Sequence, residues 1–205
     1  MDTFTTIKTG GEGLYKEKGS KFIALAFHVE TAEQALDIVA ATRKKYFDAR
    51  HVCFAYMLGT ERNVFRANDD GEPSGTAGKP ILGQIISTGL TDVLIIVIRY
   101  FGGILLGTGG LIVAYKTAAA DAILNSETEE KIIESLVRIR CDYEAMNYVM
   151  RAIKECQGRM VRQRQEMDCL FTIALRPSFV DVMRQKMDGV KGVEFKDKTD
   201  DEPCE

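Results

Sequence analysis

Residues 99–112 read RYFGGILLGTGGLI, and the five glycines in this stretch separate two apolar segments of different character. The segment before it, residues 91–98, reads TDVLIIVI, which is typical of a strand buried on both faces. The segment after it, residues 113–124, reads VAYKTAAADAIL, which is typical of a buried helix. A strand therefore leads into a helix N-terminus through a glycine-rich loop, where unpaired N–H groups and the helix dipole favour a phosphate or a carboxylate.

The spacing of these glycines matches neither standard phosphate-binding loop. The Gly-Lys-Ser/Thr ending of a P-loop is missing, and the glycines do not fall as G-x-G-x-x-G with an acidic residue about twenty residues later. Close packing of the helix on the strand would account for the same glycines without any ligand. A ligand site and a purely structural role both stay open at this point.

A second unusual loop spans residues 68–82 and reads NDDGEPSGTAGKPIL. It holds three acids, two hydroxyls and one lysine, and it is too polar and glycine-rich to be core. Ser74 or Thr76 is predicted to cap a helix over residues 80–87. The loop is either a long turn with a helix cap or the second wall of a polar cleft.

With both loops in view, the chain resembles the Impact/YigZ family. The resemblance rests on four stretches that follow in order over most of the first 125 residues: residues 19–22, 49–56, 69–82 and 99–115. It implies an α+β protein of two domains. The N-terminal domain, residues 1–127, would have the ribosomal-protein-type fold of elongation factor G domain IV, and residues 128–205 would form a ferredoxin-like domain similar to elongation factor domain V.

The resemblance also implies a role in translation. Eukaryotic relatives act in translational control by binding partners of a stress kinase, and bacterial relatives are associated with binding of RNA or ribosomes. No enzymatic activity and no cofactor come with the resemblance.

Composition excludes several classes of protein. An apolar fraction of 45% with 28% charged residues is ordinary for a soluble globular chain, and a net charge of −3 gives no global attraction for nucleic acid. The apolar run at residues 93–98 is far shorter than the about 20 residues that cross a bilayer, and no signal pattern precedes it, so a cytoplasmic protein without a membrane partner is expected. Five scattered cysteines and two histidines predict reduced thiols and no zinc site.

The order of apolar patterns favours an α+β fold in the first part of the chain, because strands and helices mix without strict βαβ regularity. The predicted elements are a hairpin over residues 3–16, strand 22–29, helix 31–46, a hairpin of strands 52–58 and 63–67, helix 80–87, strand 93–98 and helix 111–124. Residues 125–130, NSETEE, are the best linker candidate.

Beyond the linker the pattern is βαββαβ, the ferredoxin-like order. The predicted elements are strand 132–141, helix 143–156, strands 159–165 and 169–175, helix 178–187 and strand 193–196, before an acidic tail that is expected to fray.

Period-two alternation in those strands turns five arginines toward the sheet face that the helices leave open. They are Arg138, Arg140, Arg162, Arg164 and Arg176. Such a basic face could attract a phosphate backbone or the acidic surface of a protein partner. No exposed aromatic accompanies it, and ion pairs with Glu134 or Glu166 would instead give an ordinary solvated surface.

The two polar loops are predicted to meet in a cleft, because polar and glycine-rich segments cluster where the backbone lines a site. The candidate binding residues are Arg50, His51, Asp69, Asp70, Glu72, Ser74, Thr76, Lys79, Arg99, Tyr100, Gly102, Gly103, Gly107, Gly109 and Gly110. The leading hypothesis is a translation-associated regulatory binding protein that contacts RNA, a ribosome or a protein partner through this cleft, with no catalytic residue, metal ligand or cofactor assigned.

Three catalytic interpretations compete with it. In a phosphate-handling, nucleotide-binding enzyme the glycines would cradle the anion, Lys79 or Arg99 would neutralise its charge, and Asp69, Asp70 or Glu72 would bind magnesium. His51 could act as a general base with Asp69 or Asp70. Cys53, two residues from His51, could be a nucleophile, although a buried structural cysteine is favoured.

Overall fold

The computed structural model describes residues 2–197, and it confirms the α+β class. The chain divides into two compact units. One is Phe4–Lys131, and the other combines residues up to Thr3 with those from Ile132 onward. The acidic tail predicted to fray lies outside the described residues.

In chain order, the first unit contains seven strands and three helices. They are β1 (Thr3–Thr9), β2 (Glu12–Glu17), β3 (Ser20–His28), α1 (Ala32–Lys45), β4 (His51–Leu58), β5 (Val64–Asn68), α2 (Gly78–Ser87), β6 (Val93–Tyr100), α3 (Gly107–Leu124) and β7 (Glu127–Ile132). Five of these strands form an antiparallel sheet in the order β2-β3-β6-β4-β5.

The central strand β6 is buried on both faces, as its unbroken apolar run predicts. Leu94, Ile96 and Ile98 pack into the core beneath α1, whereas Ile95 and Val97 pack into the core beneath α2 and α3. One helix therefore covers one face of the sheet and two helices cover the other. The Thr31 hydroxyl accepts a hydrogen bond from the Gln34 N–H and so begins α1 where the sequence predicts.

The predicted hairpin over residues 3–16 is wrong. Strand β1 pairs with β7 in a separate two-stranded sheet, and β2 pairs with β3. The proposed linker therefore includes a strand, which is bound by side chains as well: Lys8 Nζ and the Thr9 hydroxyl donate to the two carboxylate oxygens of Glu127 at 2.8 and 3.1 Å. No local pattern shows this pairing, because its partners are 119 residues apart.

The second unit has the predicted βαββαβ order. Its elements are β8 (Ser135–Cys141), α4 (Met146–Glu155), β9 (Arg159–Gln165), β10 (Cys169–Leu175), α5 (Pro177–Met187) and β11 (Val193–Asp197). The sheet is antiparallel with the order β11-β8-β10-β9, so the first and third strands are central, as in a ferredoxin-like fold. Val137, Ile139 and Phe171 form its core together with residues of both helices.

Across residues 2–197, no helix has the length and apolar character needed to cross a membrane.

Candidate functional site

A cavity of about 450 Å³ lies in the first unit, where β6 ends and the chain turns into α3. Both predicted loops contribute to it. Its lining consists of Arg50, His51, Glu72, Pro73, Arg99, Phe101, Leu105, Leu106, Gly107, Thr108 and Leu111. The register of the sheet brings two of these lining residues together, because His51 at the start of β4 lies opposite Arg99 near the end of β6.

Arg99 is the buried cation of this site, with only 5% of its surface exposed. Its Nη1 donates to Glu72 Oε1 at 2.5 Å, and the Tyr115 hydroxyl donates to the same oxygen at 2.7 Å. The guanidinium carbon lies 5.4 Å from the centre of the Phe22 ring and 5.6 Å from that of Phe101. Its Nε is buried and has no hydrogen-bond partner among the described residues.

His51 is held by backbone rather than by a carboxylate. Its Nδ1 lies 2.8 Å from the Asp70 carbonyl oxygen, which can only accept, so Nδ1 carries the hydrogen. Nε2 is 3.8 Å from Glu72 Oε1. The Asp70 carboxylate instead accepts from the Val52 N–H at 2.6 Å and forms an ion pair with Arg43 at 2.9 Å. These contacts do not support the alternative in which His51 acts as a general base with the carboxylate of Asp69 or Asp70.

Asp69 caps α2 from eight residues upstream. Its carboxylate accepts hydrogen bonds from the N–H groups of Gly75, Ala77 and Gly78 at 2.8 to 3.0 Å. Burial acts to raise the pKa of this carboxyl, but these hydrogen bonds outweigh it and hold the pKa below its ordinary value. The predicted cap by Ser74 or Thr76 is wrong, because the Thr76 hydroxyl donates to the Pro73 carbonyl and Ser74 is exposed.

Cys53 is a structural thiol. Its Sγ is fully buried, 3.0 Å from the Asp69 carbonyl oxygen and 3.3 Å from the Tyr115 hydroxyl. Burial raises the pKa of this thiol far above its ordinary value, although the Tyr115 hydroxyl acts to lower it. A thiol that stays protonated at neutral pH is a poor nucleophile, so the geometry favours the structural role.

The chain's own fold explains four of the five glycines in the loop. A side chain on Gly102 would lie 1.9 Å from the backbone of Gly19, and one on Gly110 would lie 3.0 Å from Leu106 Cβ. Gly103 and Gly107 adopt left-handed φ values of +86° and +72°. Neither reason applies to Gly109. Its φ is not left-handed, and no atom other than those of its chain neighbours and the nearby backbone of α3 lies within 4 Å of where its Cβ would be.

The N-terminus of α3 opens onto the cavity without a side-chain cap. Its N-cap residue is Leu106, and no acidic residue lies in its first turn, whereas Thr31 and Asp69 serve α1 and α2. Arg50 is exposed on the cavity wall, and Phe101 and Leu105 remain 47% and 82% exposed. The arrangement can bind an anionic group attached to an apolar or aromatic one.

Only five of the fifteen predicted residues line the cavity, namely Arg50, His51, Glu72, Arg99 and Gly107. The other ten lie outside the lining: Asp69, Asp70, Ser74, Thr76, Lys79, Tyr100, Gly102, Gly103, Gly109 and Gly110. The Tyr100 hydroxyl donates to the Asp48 carboxylate at 2.9 Å, and Lys79 is an exposed residue of α2. Sequence reasoning also missed the apolar wall formed by Phe101, Leu105 and Leu111. The signal was available, because large apolar residues between glycines of an exposed loop cannot all enter the core.

The predicted basic face is only partly free of ion pairs. Arg140 pairs with Asp168, and Arg164 pairs with Glu166. Arg138 and Arg162 lie on either side of Thr172 in one row across the sheet, and neither has an ion-pair partner among residues 2–197. Arg176 is the N-cap residue of α5, beyond the end of β10.

The domain that contains this cleft matches the model of a known protein family. The model of the Impact N-terminal domain matches residues 18–123. IMPACT family member YigZ of Escherichia coli is 34% identical over 160 residues, which are 77% of this chain and 78% of the relative. IMPACT family member YvyE of Bacillus subtilis is 34% identical over 157 residues, which are 77% of this chain and 72% of the relative.

A solved structure shows that the fold is shared over nearly the whole chain. The crystal structure of a hypothetical protein superposes with a TM-score of 0.70 and 30% identity, covering 95% of this chain and 97% of that one. The matched domain contains both cleft loops, and the relatives extend over most of the chain. The chain therefore belongs to the IMPACT family.

Proposed function

We propose that this chain is a translation-associated regulatory binding protein that contacts RNA, a ribosome or a protein partner through the cavity of its N-terminal unit. Family membership supports the link to translation. The observation that carries the proposal is the cavity itself, in which Arg50, Arg99 and the uncapped first turn of α3 surround an apolar wall. Cations and a helix N-terminus favour an anionic group of the partner.

The geometry supports binding better than phosphoryl transfer. The three carboxylates suggested as magnesium ligands are already engaged: Asp69 caps α2, Asp70 binds Val52 and Arg43, and Glu72 binds Arg99 and Tyr115. Within residues 2–197 no three His, Cys, Asp or Glu side chains gather in a way that could hold a metal ion. In a phosphate-handling enzyme, magnesium would have to compete with these contacts for the carboxylate oxygens.

The test of this role is affinity capture from lysate, with and without ribonuclease, using two matched variants, one just before α3 and one at its last residue. Leu105 and Leu124 are each 82% exposed, but Leu105 lines the cavity and Leu124 ends the helix. Leu105→Glu should lose the captured partner, because a carboxylate beside the cleft repels an anionic group, whereas Leu124→Glu should retain it. Identical capture by both variants would refute a cleft-mediated role.

A second measurement addresses catalysis. Magnesium-dependent hydrolysis of a nucleoside triphosphate by the full chain, abolished by Asp70→Asn, would favour the enzyme interpretation over the binding one.

A further inference from the structure

Gly109 is the first observation that points to a specific ligand at the cleft. It does not line the cavity itself, but it directly follows Gly107 and Thr108, which do. It lies in the first turn of α3, its φ is not left-handed, and the space beside its Cα is open. A glycine inside a helix lowers helix stability relative to alanine, so nothing in this chain's fold favours it. A flat, bare first turn does favour the close approach of a ligand to the backbone.

The charges around the cavity are the second observation. Glu72 already balances one cation, because its carboxylate is bound to Arg99. Arg50 stays exposed, and Arg99 keeps a buried Nε without a partner among the described residues. An unsatisfied buried donor is costly, and an incoming anion can lower that cost by supplying acceptors near the guanidinium. The first turn of α3 adds N–H groups on the same wall.

The third observation is the aromatic wall. Phe101 lines the cavity, is 47% exposed, and lies 5.6 Å from the Arg99 guanidinium carbon. The cavity of about 450 Å³ falls in the range of about 300–1,000 Å³ that small-molecule ligands occupy, so it has room for more than an anion. A planar aromatic group next to the anion would cover the exposed Phe101 ring.

From these observations we propose that the cleft holds one unpaired nucleotide of single-stranded RNA. The phosphate lies against Arg50 and the first turn of α3, and the base stacks on Phe101. A duplex is a poor ligand, because its bases are already stacked and cannot be inserted. This inference rests on the proposed binding role of the same cleft and names RNA as the partner class.

The experiment is fluorescence anisotropy of the full chain with a labelled, random-sequence, single-stranded RNA octanucleotide. Phe101→Ala should weaken binding about tenfold, the typical effect of losing one base–aromatic stack. Arg50→Gln should reduce the slope of log K against log salt by about 0.7, the contribution of one phosphate contact to a single strand. Lys44→Gln, an exposed cation on α1, should leave both quantities unchanged.

Two helical glycines give the sharpest control. Gly83 in α2 resembles Gly109, because it also has open space at Cβ and no left-handed φ. The two differ in their surroundings: Gly109 directly follows the lining residue Thr108, whereas neither chain neighbour of Gly83 lines the cavity. Both Gly→Ala variants should keep or raise the melting temperature, since alanine is the better helix former. Gly109→Ala alone should weaken RNA binding.

The outcomes separate this inference from the broader proposal. No binding of the single strand, or equal binding by wild type, Phe101→Ala and Gly109→Ala, overturns the nucleotide site. Capture of a protein that resists ribonuclease but depends on Leu105 overturns it as well, while the binding role of the cleft stands. If capture of the partner does not depend on Leu105, the binding role of the cleft itself is refuted.

Discussion

The Tyr115 hydroxyl joins the residues beneath the cleft, because it lies 3.3 Å from Cys53 Sγ and donates to Glu72 Oε1 at 2.7 Å. Burial raises the pKa of this hydroxyl far above its ordinary value, so it stays protonated and remains a donor near neutral pH. Tyr115→Phe should lower the free energy of unfolding by about 1–3 kcal/mol, because a buried carboxylate loses a hydrogen bond. Urea denaturation measures the loss.

Tyr100→Phe is the matched control for that variant. The Tyr100 hydroxyl donates to Asp48 at an exposed position, so its removal should change stability by no more than about 0.5 kcal/mol. Equal losses from the two variants would show that the buried hydrogen bond adds nothing to stability.

At the scale of elements, the start of α2 depends on Asp69. Asp69→Asn should lower the free energy of unfolding by about 1–2 kcal/mol near neutral pH. The amide is uncharged and has one oxygen, whereas both carboxylate oxygens accept in the wild type, one from Gly75 and the other from Ala77 and Gly78. Asp37→Asn, an exposed carboxylate on α1, should stay within about 0.5 kcal/mol of wild type.

The effect of Asp69 has a defined dependence on pH. Its folded-state pKa lies below the ordinary value of 3.8, so below that value the unfolded chain binds the proton more readily than the folded chain. The stabilisation is therefore present above pH 3.8 and is lost as the pH falls through the folded-state pKa. The difference in free energy of unfolding between wild type and Asp69→Asn, measured by urea denaturation, should narrow as the pH falls below 3.8. A gap that stays constant would argue against a charged cap.

The elements that the sequence predicts correctly are those with strong local periodicity, such as β6 and the βαββαβ order of the second unit. Strand β7 is missed because its residues, ETEEKI, are almost all polar and its stability comes from a distant partner. The cap of α2 is missed for a related reason, because the carboxylate arrives from eight residues upstream. Local patterns carry no information on such tertiary partners.

At the scale of the whole molecule, we expect the first unit to reach its full stability on its own only if β7 is included. A fragment ending at residue 134 should unfold cooperatively, whereas one ending at residue 125 should be less stable by about 2 kcal/mol or more, since it loses a strand and the Gly11 N–H bond to Ser126. Thermal unfolding of both fragments tests this. Glu127→Gln should lower the free energy of unfolding by less than about 1 kcal/mol, because the ion pair of Glu127 with Lys8 is exposed.

The basic face gives a second prediction at this scale. Replacing Arg138 and Arg162 together by glutamine should flatten the salt dependence of RNA capture by about 1.4 in log–log slope, because these two cations have no ion-pair partner among the described residues. Replacing Arg140 and Arg164 should have a smaller effect, since Asp168 and Glu166 already balance them. If replacing Arg140 and Arg164 had the larger effect on the salt dependence, Arg138 and Arg162 would be excluded as the RNA contact.

The pairing of β1 with β7 also sets the order in which the first unit can be completed during synthesis. Lys8 and Glu127 are 119 residues apart, so β1 is translated long before its ladder partner. The hairpin of β4 and β5 can form as soon as both strands are made, because they are neighbours in the chain. Until β7 emerges, β1 carries unpaired backbone groups that a chaperone or a wrong strand can bind. Strand β1 is therefore synthesised before the other strands of its unit, but it pairs with β7 only after those strands have been made.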